Sequence, residues 1–481
     1  MRSMRVLAVV AVAAFSSAAA QRSATPVYPG VSWERITNPD SAGWAGKDLD
    51  SARARLSRLA TTGFMAIADG RVLLEYGDVR TLSYLASARK SVLSMLFGKY
   101  VANGTVRLDK TLAQIGIDDI GGLTPQEREA TVRDLLTARS GVYHAASNLG
   151  DDLANAPARG SKRHGTYQLY SNWDFNAVGT IFERETGRNI YDALESDLAR
   201  PLGLEDFDRA AQQKMGDTTR SVHLAYHMFL STRDMARLGY LMLREGNWKG
   251  RQLVPREWVV LTTHAATPVT QMNPNYHRVG PFGYGYLWWV WDGAAAIGPF
   301  RGAYTAQGAF GQYITVLPAV NLVIAHKTRP DRGKDTPLAE YLGVVDIVLR
   351  ARCHARPRGI EAWCDAQAAR EAERVARARA IEKPVTLTPA QRAVYVGTYT
   401  FALPILERTL IAHIDEDNGQ LVSWAEPNRP KVPLIPLGNH VFGTRQDPYS
   451  RLTFFVEGGR AVRVRLEETG MTEPVMGVRR P

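Results

Sequence analysis

Hydrophobic spacing along the chain switches between periods of two and of about 3.6, and the switches mark its organisation. In GFMAIADGRVLLEYGD, residues 63–78, apolar and polar positions alternate on both sides of Asp69-Gly70, which predicts two strands joined by a tight hairpin turn. From Tyr84 the spacing becomes helical: Val92, Leu93, Leu96, Phe97, Tyr100 and Val101 share one face, and Asn103-Gly104 supplies a left-handed stop. TPQEREATVRDLLTARSGV predicts a second helix, opened by Thr124-Pro125 with Glu127 as its capping-box partner. The stretch from His144 to Gln168 is polar and weakly patterned, a length that loops reach when they are functional or disordered. SNWDFNAVGTIFERETG resumes as a helix capped by Ser171 or Asn172, and SVHLAYHMFLSTRDMARLGYLMLREGNWKG predicts a further helical region ending at Asn247. Between Tyr284 and Thr328 the period returns to two, in consecutive strands broken by glycines, before a helix over TPLAEYLGVVDIVLRARC.

Strands, a helical middle, strands and a final helix predict an α+β fold, one antiparallel sheet flanked by helices, rather than repeated βαβ units. A charged linker helix over 361–382 ends at Lys383-Pro384. Beyond it, short apolar runs separated by Asn-Gly and Gly-Gly turns predict a small antiparallel barrel-like or sandwich domain over 383–481. The N-terminus has a basic start at Arg2 and Arg5, an apolar core from Val6 to Phe15 and small residues Ala18-Ala19-Ala20. That is the form of a cleaved signal peptide over 1–20, and it predicts a periplasmic or secreted protein. The main domain is then 21–382, and no later apolar run is long enough to span a membrane.

Charge changes this picture little. The chain carries a formal net charge of +11, but the basic residues are scattered apart from GSKRHG and the 361–382 helix, with no aromatic-interleaved basic motif. A solvated basic surface is expected, and no nucleic-acid partner. The two cysteines, Cys353 and Cys364, flank a Pro-Gly turn, and in an exported chain a local disulfide is expected. Without clustered histidines they make no zinc site. There is no H-E-x-x-H and no G-x-S-x-G elbow, so neither a zincin nor an α/β-hydrolase is supported, and no metal or organic cofactor is expected.

The chemistry concentrates at two places. Ser87-Ala88-Arg89-Lys90 sets a serine and a lysine three apart at a helix start, on one face, where the helix dipole favours a serine losing its proton. The same four residues also fit a capping serine followed by a surface lysine. Tyr170-Ser171-Asn172 follows the long polar loop; a tyrosine beside a lysine can act as a general base, and an asparagine can hold both the lysine and a substrate carbonyl. These two residues also fit a half-buried loop aromatic and a helix cap.

Together, S-x-x-K and Y-x-N resemble the β-lactamase and penicillin-binding protein superfamily, in particular its class C-like branch, which includes esterases, D-amino-acid peptidases and 6-aminohexanoate-dimer hydrolases. TVRDLLTARSGV and FLSTRDMARLGYLMLREGNWKGRQLVPREWV are similar to segments of that family, and the likeness runs from Ser51 to Arg350. It implies a β-lactamase/transpeptidase-like fold with Ser87 as nucleophile and Lys90 and Tyr170 sharing the role of general base. Asn172, Gln307 and Gly308 would bind substrate, with the N–H groups of Ser87 and Ala309 as the oxyanion hole. The family's third motif, K-T-G or H-x-G, here reads Ala306-Gln307-Gly308: the glycine is kept and the cation is lost. Arg301 and Lys327 are candidate replacements. The resemblance implies an acyl-enzyme serine hydrolase acting on small esters or amides; the alternatives are a β-lactamase or D-amino-acid peptidase, and a catalytically silent envelope-binding module of the same fold. Trp288, Trp289 and Trp291 are expected to pack, with one of them able to rim the pocket, and Tyr143 is expected either at the cleft or in the core.

Overall fold

The computed structural model describes residues 26–333, 335–427, 430–468 and 474–481; the signal peptide read at 1–20 lies outside the described residues. Helix α1 (Gly46–Leu56) leads into the hairpin β1 (Gly63–Ala68) and β2 (Arg71–Gly77), and α2 (Ala88–Ala102) follows. Helix α3 (Asn172–Thr186) and helix α4 (Thr232–Leu243) precede five strands, β3 (Phe282–Tyr284), β4 (Trp289–Trp291), β5 (Tyr304–Gly308), β6 (Gln312–Leu317) and β7 (Leu322–Lys327). The sheet runs β2-β1-β7-β6-β5-β4-β3, antiparallel at each pairing.

Both faces of this sheet are covered, so β1, β6 and β7 are buried at every position. Phe64, Ala66, Leu322 and Ile324 face α1 and the long helix α5 (Leu338–Ala355), whose Tyr341, Val344 and Val348 complete that layer. Met65, Ile67, Ile314, Val323 and Ala325 face the other way, toward α2 and α4. Helix α4 comes close because Gly239 carries no side chain: a Cβ there would stand 2.5 Å from Val323 Cγ1 and 2.8 Å from Ile314 Cγ2.

Two predicted helices differ from the structure. The Thr124/Glu127 capping pair forms, but it opens only a 3-10 turn, Glu127–Glu129; the helix proper is Val132–Leu136, with its own capping box from Thr131 and Asp134. The region before α4 is extended, with strands Ala225–His227 and Phe229–Leu230. Its apolar residues bury without helical periodicity because Leu85 N–H binds Met228 O and ties this segment to the chain just before Ser87.

Cys353 and Cys364 form a disulfide that joins the end of α5 to the start of helix α6 (Glu361–Ile381). The C-terminal strands form a separate nine-stranded antiparallel sheet, nearly closed and barrel-like, around Tyr395, Tyr399, Phe401, Phe442 and Phe454. It reaches back to the first unit through its turn Pro404–Leu406: Asn275 Nδ2 donates to Leu406 O at 2.7 Å, and Arg278 pairs with Glu407 at 3.1 Å. Among the described residues, no helix is long and apolar enough to cross a membrane.

Candidate active site

Ser87 is the residue that precedes α2, and its side chain makes no capping bond to the helix. The backbone before it is forced: Ala86 has φ +47°, a left-handed conformation that a non-glycine residue holds only when its surroundings impose it. Leu85 N–H is tied to Met228 O on one side of this bend and α2 begins on the other. The bend leaves Ser87 half-exposed at its tip, while Lys90, one turn on, is buried.

Lys90 is therefore no surface lysine. Its Nζ lies 2.9 Å from Ser87 Oγ, 2.6 Å from Tyr170 Oη and 2.7 Å from Asn172 Oδ1. Three acceptors match three N–H bonds when the amine is charged. When it is neutral, two N–H bonds remain for Tyr170 and Asn172 and the lone pair faces Ser87. Asn172, in the first turn of α3, is held in turn: its Nδ2 donates to Leu149 O at 3.0 Å and its backbone N–H to Asp151 Oδ2 at 2.9 Å. Ser171, not Asn172, caps α3.

Burial pushes the Lys90 amine well below the ordinary lysine value, and the neighbouring Arg89 charge pushes the same way, against a weaker pull from Asp151. Tyr170 moves oppositely: burial pushes its phenol up to about 12, although a hydrogen bond with Ser87 and the Arg89 charge draw it down. The Tyr170 ring is fixed on three sides, stacked on Trp289 at 5.5 Å between centroids, tilted against Phe175 at 4.8 Å and edge-on to Tyr284 at 6.0 Å. Trp289 is thus the tryptophan beside Tyr170, the partner of the Ser87 and Lys90 side chains; Trp288 and Trp291 are core residues.

Strand β5 ends against the Ser87 bend. A Cβ on Gly308 would stand 2.3 Å from Leu85 O and 3.0 Å from Ala88 N, so only glycine permits this approach. Among the hydrogen bonds of the described residues, none is donated by the backbone N–H of Ser87 or of Ala309. Gln307 is half-buried in the same strand, and its Nε2 has no partner. Ala306 is buried and apolar. Neither candidate replacement cation stands in its place. Lys327 is enclosed and donates to Ser83 O at 2.8 Å and to Leu230 O. Burial lowers its amine to about 7. Arg301 is exposed before β5, the whole strand away from Gly308. Tyr143 is half-buried, with its hydroxyl sealed from solvent and unpartnered. Among the described residues, no cluster of His, Cys, Asp or Glu is arranged to hold a metal ion.

Sequence reasoning missed Asp151, Leu149 and Phe175. Asp151 and Leu149 lie inside the unpatterned loop and act through one carboxylate and one backbone carbonyl. Phe175, whose ring centroid lies 4.5 Å from Lys90 Nζ, reads in the sequence as an ordinary apolar helix position.

The family model described as Beta-lactamase matches residues 52–341, more than half of the chain. The chain belongs to the beta-lactamase family. It is 24% identical over 268 residues to an uncharacterized protein of Alkalihalophilus pseudofirmus, an alignment covering 50% of this chain and 72% of that one. It is 26% identical over 165 residues to the monacolin J acid methylbutanoyltransferase of Aspergillus terreus, covering 28% of this chain and 40% of the transferase. Among solved structures, the octameric penicillin-binding protein homologue of Pyrococcus abyssi matches 90% of this chain and 99% of its own, at 16% identity and a TM-score of 0.49. Beta-lactamase membership accounts for the antiparallel sheet between helical layers and makes this chain one of a hydrolase family.

Proposed function

We propose that this beta-lactamase-family protein is an exported serine hydrolase that cleaves ester or amide bonds of small substrates through a Ser87 acyl-enzyme. The observation that carries the reading is the Lys90 amine, buried and 2.9 Å from Ser87 Oγ. Lys90 is the base: burial lowers its amine well below the ordinary lysine value and so makes its lone pair more readily available, while Tyr170, at about 12, keeps its proton. The Ser87 proton passes to Lys90 Nζ as Oγ bonds to the substrate carbonyl carbon. The carbonyl electron pair moves onto oxygen, facing the N–H groups of Ser87 and Ala309. Collapse breaks the bond to the leaving group, which takes a proton from Tyr170 Oη, and Tyr170 is reprotonated from Lys90 across their 2.6 Å contact. Water, deprotonated by the same pair, then bonds to the acyl carbon; collapse breaks its bond to Ser87 Oγ, which takes the proton back from Lys90, and the acyl group leaves as acid. Asn172 and Gln307 hold the lysine and the substrate carbonyl.

The buried Ala306 and the enclosed Lys327 favour uncharged ester and amide substrates over β-lactams and D-peptides, whose free carboxylate needs a cation at this edge. Export rests on the N-terminal sequence pattern. A fluorophosphonate probe tests the chemistry: labelling of wild type and none of Ser87→Ala is expected, and equal absence of labelling in both sinks it. Turnover of p-nitrophenyl butyrate exceeding that of nitrocefin is expected; the reverse favours the β-lactamase alternative.

A further inference from the structure

Arg89 lies inside the S-x-x-K motif but on another face of α2, and it enters the acyl-enzyme chemistry only through its charge, which adds to the lowering of the Lys90 amine. It is 1% exposed. Its Nη1 donates to Ala86 O at 3.0 Å, and its Cζ stands 5.1 Å from the ring centroid of Tyr226. Nε and Nη2 have no hydrogen-bond partner, and no carboxylate pairs with the guanidinium among the described residues. The hydroxyl of Tyr226, whose ring lies against the guanidinium, and that of Tyr191 are also sealed from solvent and unpartnered. Tyr226 is seated by Gly179 of α3, where a Cβ would stand 2.6 Å from its Cδ1.

An arginine stays charged inside proteins, and removing that charge from water costs several kcal/mol unless a counter-charge accompanies it. Burial pushes both phenols up, so they remain O–H donors. His227 is drawn down to about 4 by burial, with Arg89 adding to it, and so brings no charge of its own near neutrality. The orphaned groups of Arg89 and Tyr226 are thus donors set side by side at one uncompensated cation. A water molecule offers them two lone pairs and no charge; an anion supplies both acceptors and neutrality.

We propose that Arg89, with Tyr226 packed against it, forms a binding site for a small monovalent anion of halide size, behind the catalytic serine. The enclosure and the aromatic walls select a weakly hydrated, compact ion against phosphate or sulfate. A carboxylate shares the chemistry, but Arg89 and Tyr226 are closed to solvent, and the halide is the occupant assigned.

Crystals grown without chloride and soaked in sodium bromide test this directly. An anomalous peak within hydrogen-bonding distance of Arg89 Nε or Nη2 is expected. Bromide found elsewhere as an adventitious ion only, with water at Arg89, overturns the proposal. In solution, Tm should rise with the logarithm of chloride concentration at ionic strength held constant with gluconate. Arg89→Met should lose that rise, and Tyr226→Phe, which keeps the ring, should weaken it and so decides the matter where Arg89→Met does not fold. A chloride response unchanged in these variants, or stabilisation by acetate but not by chloride or bromide, overturns the halide site.

Discussion

Lys90 Nζ lies 2.6 Å from the phenolic oxygen of Tyr170, a residue eighty positions further along the chain. The contact joins the start of α2 to the loop entering α3, and both side chains are buried where they meet. Removing the proposed nucleophile beside this pair gives the first prediction. Ser87→Ala should lower ester turnover at least about a thousandfold while leaving Tm nearly unchanged, because the hydroxyl makes no capping bond to the helix. Mass spectrometry should find an acyl adduct on the wild-type protein and none on the variant.

The Lys90 amine, lowered by burial, sets the pH dependence. Its neutral form accepts the serine proton, so kcat/KM should fall on the acid side as Lys90 becomes protonated and rise to a plateau above its folded-state pKa. Tyr170, at about 12, should impose no loss until strongly alkaline pH. Lys90→Arg retains the charge but cannot release a proton; it should cost about a hundredfold or more and abolish the acid limb. A profile unchanged by Lys90→Arg would exclude the lysine as base.

Gly308 allows β5 to meet the Ser87 bend. Gly308→Val should leave the far-UV spectrum intact but cost about a hundredfold in kcat, since a Cβ there pushes on Leu85 O and Ala88 N and shifts the serine. Burst kinetics with p-nitrophenyl esters would locate the loss in acylation.

Trp289 stacks on Tyr170, with ring planes 30° apart. Trp289→Ala should lower kcat/KM about three- to tenfold, the worth of one aromatic pair. A series of esters with growing acyl chains would show whether the loss scales with the substrate's apolar surface.

The Cys353–Cys364 bridge lies in the joint between α5 and α6, and both cysteines pack with the core layer of α1 and α5 rather than the one that holds Tyr170. Reduction, or Cys353→Ser, should lower stability by about 2–3 kcal/mol, read as a fall in Tm, with kcat unchanged.

Local patterning determined the elements whose signals are local. The Asp69-Gly70 hairpin, the helix after Ser87, the run of strands between Tyr284 and Thr328 and the long helix α5 were all legible, because period and turn chemistry act over a few residues. The segment before α4 was misread because its apolar residues bury through contact with the chain near Leu85, which no local period records. The residue types of the site were legible too: Ser87, Lys90, Tyr170 and Asn172 stand in two short motifs. Whether Ser87 caps a helix and Lys90 faces solvent, as the same letters also allow, was decided only by tertiary packing. Burial among Tyr170, Phe175 and Asn172 is what lowers the amine, and desolvation depends on neighbours from distant parts of the chain. The loss of a cation at Ala306 was visible in the sequence. That Lys327 is spent on backbone carbonyls, and that Arg89 is buried without a counter-charge, emerged only once the chain had closed around them.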